Sequence, residues 1–357
     1  MLIIDRYIMQ RFLAGVLPVL ILLLALFSFL ALAEELEDVG RGDFTMPDAL
    51  MIIFLTTPKR IVELLPVTAL LGGLLGLGAM ANNRELIAIR TNGLSKQRMA
   101  HAVTALAILL GAFITVLQFS VVPGFEREAA HLRSKALQGM GSDTGETGAV
   151  WTRHNSYFIH VNEVRFDRTL VDVEIYATDE QGRLTQLIQT SSADYAGNGT
   201  WLLIDVLQSD IEQARVKETP RMNMLWQDLL SEEQVSVLML PLEALAPNDL
   251  VETIFNLRRN QLDTHQYEIV LWQQVSLLPG LLAMALLSLP FLLGSVRSVS
   301  ASQRIMIGGL IGIGFYLAQQ MTGHLAGILG INPSLVILAP PFILLAIAIT
   351  AIRHRSL

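Results

Sequence analysis

The chain has 357 residues and a formal net charge of −7, with 52% apolar and only 16% charged side chains. Soluble domains carry about 25% charged residues. This composition, with a mean hydropathy of +0.49, therefore excludes disorder, a coiled coil and an ordinary soluble enzyme, and points to an integral membrane protein. Cysteine is absent and there is no basic excess, which removes disulfides, thiol chemistry, cysteine-bound metals and a nucleic-acid surface.

The first charge-free apolar run is Phe12–Ala33, close to the length that crosses a hydrocarbon core. It follows Arg6 and Arg11 as a signal sequence would. However, it is too long for a signal core and has no small-residue cleavage site before Glu34 and Glu35, so it reads as an anchored helix. Asp48–Glu63 is semi-polar, with Pro58, Lys59 and Arg60, and leads into the apolar run Leu64–Ala81. Further spans are expected at Ala102–Gly124, Ile269–Leu293, Ile305–Ala326 and Leu335–Ile352, which makes six.

Basic residues orient these spans. Arg6, Arg11, Arg84, Arg90, Lys96, Arg98, Arg297, Arg304, Arg353 and Arg355 all fall on one side. On the other side, the loop Glu34–Asp48 sets six acidic residues against Arg41 alone. Positive charge marks the cytoplasmic face, so both termini are expected inside and Phe125–Glu268 outside. The domain division is then 1–124, three spans with an inner loop at 82–101; 125–268, an outer domain; and 269–357, three more spans.

The outer segment changes periodicity. Tyr157–Val161, Val171–Ala177, Leu184–Thr190, Thr200–Leu207 and Ala214–Thr219 read as strands, and Val171–Ala177 alternates apolar with polar residues. Asn198–Gly199 signals a hairpin turn. Pro247–Asn248–Asp249 starts a helix running over Leu250–Leu262 back towards the membrane. Gly139–Gly148 reads as a connection, since no lysine follows to make it a phosphate loop.

No Walker A, HExxH or GxSxG motif occurs, and the seven histidines have no carboxylate placed to complete a metal site with His154 and His160. The apolar runs hold no acidic or basic residue of the kind an ion-coupled carrier places there, so energy must come from a partner. Gln319, Gln320 and His324 are the most polar span residues. His324 meets either a lipid headgroup or the outer interface. The GxxxG pairs Gly72/Gly76 and Gly308/Gly312 admit close helix packing, either within the chain or against a second subunit. In the inner loop, Glu85, Leu86, Ile89 and Arg90 suit a short amphipathic helix ended by Asn92–Gly93. That helix either docks in a soluble subunit or serves as a charged turn that enforces topology.

Leu2–Ile8 (LIIDRYI), Leu65–Ala81 (LPVTALLGGLLGLGAMA), Arg84–Gly93 (RELIAIRTNG) and Gly294–Val299 (GSVRSV) resemble, in that order, the LptF/LptG family of lipopolysaccharide export permeases, and its LptG branch more than its LptF branch. The resemblance implies an α-helical transmembrane protein of the bacterial inner membrane, with six spans (3+3) and an inserted all-β, jellyroll-like periplasmic domain. It implies an LptF-like permease as pair, a dimeric LptB-like ATPase that uses ATP and Mg, a single-span LptC-like protein and an LptA-like periplasmic bridge. No cofactor is implied on this chain. Lipopolysaccharide would be extracted from the inner membrane and passed to the bridge, towards the outer membrane. Arg84, Glu85, Leu86, Ile89 and Arg90 would couple to the ATPase. Spans one and five would form gates, with Phe27, Leu30, Phe315, Gln319 and His324 as gate or cavity residues.

One stretch departs from the family. Related subunits carry basic residues at the outer end of span one, whereas Ala31–Asp38 here is acidic. The expectation is that the partner permease supplies the missing positive charge, with bridging cations second. Glu37→Ala with Asp38→Ala should then leave export intact or improve it. Rival roles are an exporter of another lipid or lipoprotein and a non-transporting envelope scaffold.

Overall fold

The computed structural model describes residues 3–91, 95–137, 150–154, 157–164, 169–179, 183–197, 199–212, 215–227, 229, 242, 245–259, 263–293 and 301–354. Six helical stretches among them are long and apolar enough to cross a membrane. Helix α1 is Ile3–Leu36 and α2 is Met46–Asn82. A two-residue turn leads to the short α3, Glu85–Thr91. Helix α4 (Lys96–Val116) continues through a π-helical turn, Leu117–Val121, into α5 (Val122–Leu137). After the strands come α6 (Pro247–Arg259), α7 (His265–Leu293), α8 (Ala301–Leu329) and α9 (Pro333–His354). The motifs Asn92–Gly93, Gly139–Gly148 and Gly294–Val299 lie outside the described residues, as do Arg297 and Arg355.

Helix α2 is one element of 37 residues, so the semi-polar lead-in and the apolar run are continuous. At 1.5 Å per residue it is about 55 Å long, far more than the roughly 30 Å of hydrocarbon. Its inner half is in the membrane core, packed with Ile8, Phe12 and Val16 of α1 and with Leu281, Met284 and Leu289 of α7. Its outer half, through Ala49, Ile52 and Leu55, packs instead on Phe44 and on Ala129 and Ala136 of α5. Burial separates the helices into two groups. The apolar windows of α2 and α7 are 78% and 67% buried, against 11% for α1, 22% for α8 and 17% for α9. The first two form the centre, and the others present apolar side chains to lipid or partner.

The four paired glycines resolve as contacts within the chain. A β-carbon at Gly76 would overlap the Arg11 carbonyl, and one at Gly72 would overlap the Val16 backbone, so both are seats for α1. Gly308 and Gly312 lie against Leu74 and Val67 of α2. Gly309 and Gly314 face open space.

The outer domain is one antiparallel sheet in which every strand pairs with its neighbours in sequence: β1 (Val150–His154), β2 (Tyr157–Val164), β3 (Leu170–Thr178), β4 (Leu184–Gly197), β5 (Thr200–Glu212) and β6 (Arg215–Gln227). Ile159, Val161, Val173, Ile175, Ile188, Trp201 and Leu203 form its apolar face, as period-2 alternation requires. Asn198 lies outside the described residues, but Gly197 pairs with Thr200 around it and Gly199 has φ +73°. Asp172 and Asp205, with φ +50° and +58°, interrupt the ladders on either side of Ser191 without shifting their register. Among the described residues the strands form a meander rather than two crossed sheets.

Candidate coupling and gate sites

The polar chemistry of the membrane half collects at two levels. At the inner level, α3 lies across the base of the bundle. Leu86 is buried in the membrane core and Ile89 packs at its edge, so the apolar side of α3 faces the membrane helices. Arg84, Ala88 and Thr91 are exposed on its other side. The Arg90 side chain is outside the described residues. Arg84 has φ +61°, a conformation uncommon for a residue with a side chain, and it makes the sharp turn from α2 into α3.

Glu85, the first residue of α3, accepts a hydrogen bond of 2.7 Å from the Tyr7 hydroxyl of α1. The same hydroxyl accepts from Arg11 Nε at 2.9 Å and Arg11 Nη2 at 2.7 Å. The Arg11 guanidinium lies 5.0 Å from the centre of the Tyr7 ring and 3.8 Å from the Glu85 carboxylate. The Tyr7 hydroxyl, helped by Asn83 and the Arg11 charge, holds the Glu85 carboxyl below the usual carboxylate range. Nearby, Arg98 of α4 pairs with Asp5 at 3.4 Å. Arg304 of α8, only 7% exposed, donates to Asn82 Oδ1 at 2.9 Å.

The outer level explains the acidic stretch. Arg133 of α5 pairs with Glu35 at 3.2 Å and with Asp38 at 2.7 Å, and Arg41 pairs with Asp38 at 2.8 Å. Arg133 leads in holding the Asp38 carboxyl below its ordinary value. The positive charge expected from a partner is thus supplied to Glu35 and Asp38 by this chain. The sequence does not signal this, because Arg133 and Glu35 are 98 positions apart. Midway along α2, Arg60 reaches Ser28 of α1 at 3.4 Å.

The gate candidates fall on two helices, with different surroundings. Phe27 of α1 meets Tyr316 of α8 edge to face, their centroids 5.6 Å apart. Leu30 is exposed. Phe315 is turned inward onto Gly280 of α7. Gln319 donates to Ser276 of α7 at 2.7 Å. His324 is exposed. Phe315 and Gln319 therefore pack α8 onto the central helices, while Phe27 and Tyr316 connect the two outer helices. Sequence reading missed Tyr7, Asn82, Tyr316 and Ser276. The first lies within LIIDRYI, and an aromatic hydroxyl between Arg6 and Arg11, on the same side as the loop that carries Glu85, was the available signal. Among the described residues no group of three or more His, Asp or Glu side chains is arranged to hold a metal ion.

These features define a class: a six-span membrane protein with an inserted β-domain outside and a short loop helix clamped under the bundle. The family model for the lipopolysaccharide export system permease LptF/LptG matches residues 6–354, and the chain belongs to that family. It is 30% identical to the lipopolysaccharide export system permease protein LptG of Haemophilus influenzae over 328 residues, covering 92% of this chain and 91% of that protein. It is 26% identical to LptG of Escherichia coli K12 over 356 residues, 99% of each. Membership makes it a multi-pass permease subunit of the inner membrane rather than an enzyme.

Proposed function

We propose that this chain is the LptG-type half of an ATP-driven exporter that takes lipopolysaccharide from the inner membrane and hands it to a periplasmic bridge. The observation that carries this reading is the family match over nearly the whole chain, loop helix and β-domain included. An LptF-like permease would complete the membrane unit. A dimeric LptB-like ATPase would supply the power, with ATP and Mg bound there. LptC-like and LptA-like proteins would receive the lipid. The division of labour follows the three segments 1–124, 125–268 and 269–357. Helix α3 is the coupling element. Leu86 and Ile89 seat it on the bundle, Arg84 is on the side exposed to a cytoplasmic partner, and Glu85 fixes its position. Helices α1 and α8 line the lipid path, since they are the least enclosed of the long helices around the α2–α7 centre apart from α9.

The test is purification of the tagged chain in mild detergent, followed by identification of bound proteins and lipids and by comparison with Glu85→Ala. A second six-span protein, a soluble ATPase and lipopolysaccharide are expected with the native chain. The substitution should lower ATPase capture or ATP-driven lipid release. A different bound lipid keeps the machine and changes the cargo. Recovery of periplasmic proteins alone, with no ATPase, overturns the reading in favour of a scaffold.

A further inference from the structure

We infer that the turn leading into the loop helix is tied to both lipid-path helices by separate hydrogen bonds, Tyr7 to Glu85 and Arg304 to Asn82, and that these bonds carry its movement into the membrane. Tyr7 and Arg304 are thereby positioning residues for transport. The inference rests on the reading of α3 as the coupling element.

The two bonds bracket the turn. Asn82 is the last residue of α2 and Glu85 the first of α3, with Asn83 and Arg84 between them. So short a connection has little slack, and Arg84 is already in a left-handed conformation that a side chain rarely adopts. A displacement of α3 therefore acts at once on Asn82 and Glu85. From Asn82 the path runs to Arg304, in the first turn of α8. A buried guanidinium is costly without a partner, so this bond holds its geometry. From Glu85 the path runs to Tyr7, near the start of α1. The Tyr7 hydroxyl accepts two N–H groups from Arg11 and donates to the carboxylate, so its orientation is fixed from both sides. Higher in the membrane the same two helices touch at Phe27 and Tyr316. A stroke that moves the turn thus reaches the two helices flanking that aromatic contact, each by its own bond.

The experiment uses the complete complex, with partner permease and ATPase, in vesicles loaded with lipopolysaccharide. It measures ATP hydrolysed and lipopolysaccharide delivered to a soluble acceptor. Tyr7→Phe keeps the ring and removes the hydroxyl, and Arg304→Met keeps the length and removes the charge. Each is expected to leave ATPase capture intact and ATP hydrolysis within about twofold of native. Each should lower lipopolysaccharide delivered per ATP by about tenfold, the weight of one hydrogen bond to a charged group. Arg304→Lys should restore part of the loss. Tyr7→Phe combined with Glu85→Ala should lose no more than Glu85→Ala alone, because both remove one contact. Should Arg304→Met fail to assemble, Asn82→Ala breaks the same bond from its other end. An unchanged delivery ratio in Tyr7→Phe and in Arg304→Met or Asn82→Ala overturns the inference, as does full additivity of Tyr7→Phe with Glu85→Ala. If Glu85→Ala abolishes coupling while Tyr7→Phe is silent, the relay fails and the coupling element stands. If Glu85→Ala is itself silent, both fail.

Discussion

The two ends of α1 are held in different ways. At the inner end, the hydroxyl of Tyr7 stands between Arg11 and Glu85, a directional contact to the loop helix. At the outer end, Arg133 reaches two carboxylates and Arg41 a further side of one of them, an ionic cluster with alternatives built in. The oriented hydroxyl bond transmits displacement to the loop helix and is lost when one atom is removed, while Asp5 ties the same end to Arg98 of α4. A cluster of half-exposed ion pairs tolerates the loss of a member, and each pair contributes only about 0.2–1 kcal/mol. The inner end is built to pass on a position, and the outer end to keep one.

The largest way to break this contrast is to pry α1 off α2 between its ends. Gly76→Val places side-chain atoms where the Arg11 carbonyl lies, and backbone cannot step aside. A loss of about 3 kcal/mol or more is expected, the upper range for overpacking, read as early thermal aggregation of the purified protein. Gly309→Ala, on the same kind of residue facing open space, should cost nothing and serves as the control.

Removing the outer cluster comes next. Arg133→Ala should destabilise by about 1 kcal/mol, with a smaller difference in high salt as screening weakens the native pairs. Melting curves at two ionic strengths check this. Within the cluster, Asp38→Ala should cost more than Glu37→Ala, because Asp38 bonds both Arg133 and Arg41. Equal costs would mean that these ion pairs do not hold the helix.

The smallest expected effect is that of pH. Asp38 and Glu85 both have depressed values in the fold, so each adds stability above its ordinary value and loses it only as pH falls through the lowered one. The Glu85 contribution should hold from neutrality down to its ordinary value of 4.5, and that of Asp38 down to 3.8. A melting temperature that drops already near neutral pH would contradict both assignments.

Much of the fold was legible because the bilayer is a strict solvent. The span Phe12–Ala33, the basic inner loops and the acidic outer loop follow from transfer energies that act residue by residue. The strands at Val171–Ala177 and Leu184–Thr190 were legible for the same reason, since half-burial imposes alternation. Strand β6 was read short and β1 was not read as a strand. The run Arg215–Gln227 does alternate at Met222, Met224 and Trp226, but Glu218 and Leu225 break the pattern and Pro220 interrupts it, as suits an edge strand. A GxxxG spacing tells that two helices come close and not which two, so Gly72 and Gly76 needed coordinates to find α1. The site was legible only where its residues are neighbours in sequence. Glu85 and Leu86 belong to one motif. Tyr7–Glu85, Asn82–Arg304 and Glu35–Arg133 join positions 78, 222 and 98 residues apart.

The unbroken course of α2 has a mechanical consequence. Its closest seat against α1 is at Gly76, only six residues from its inner end at Asn82 and thirty from its outer end at Met46. At 1.5 Å per residue the arms of this lever are about 9 Å and about 45 Å. A tilt about that fulcrum multiplies a displacement at the loop about fivefold at Met46 and about 3.5- to 4-fold where Ile52 and Leu55 lean on α5, at the threshold of the β-domain.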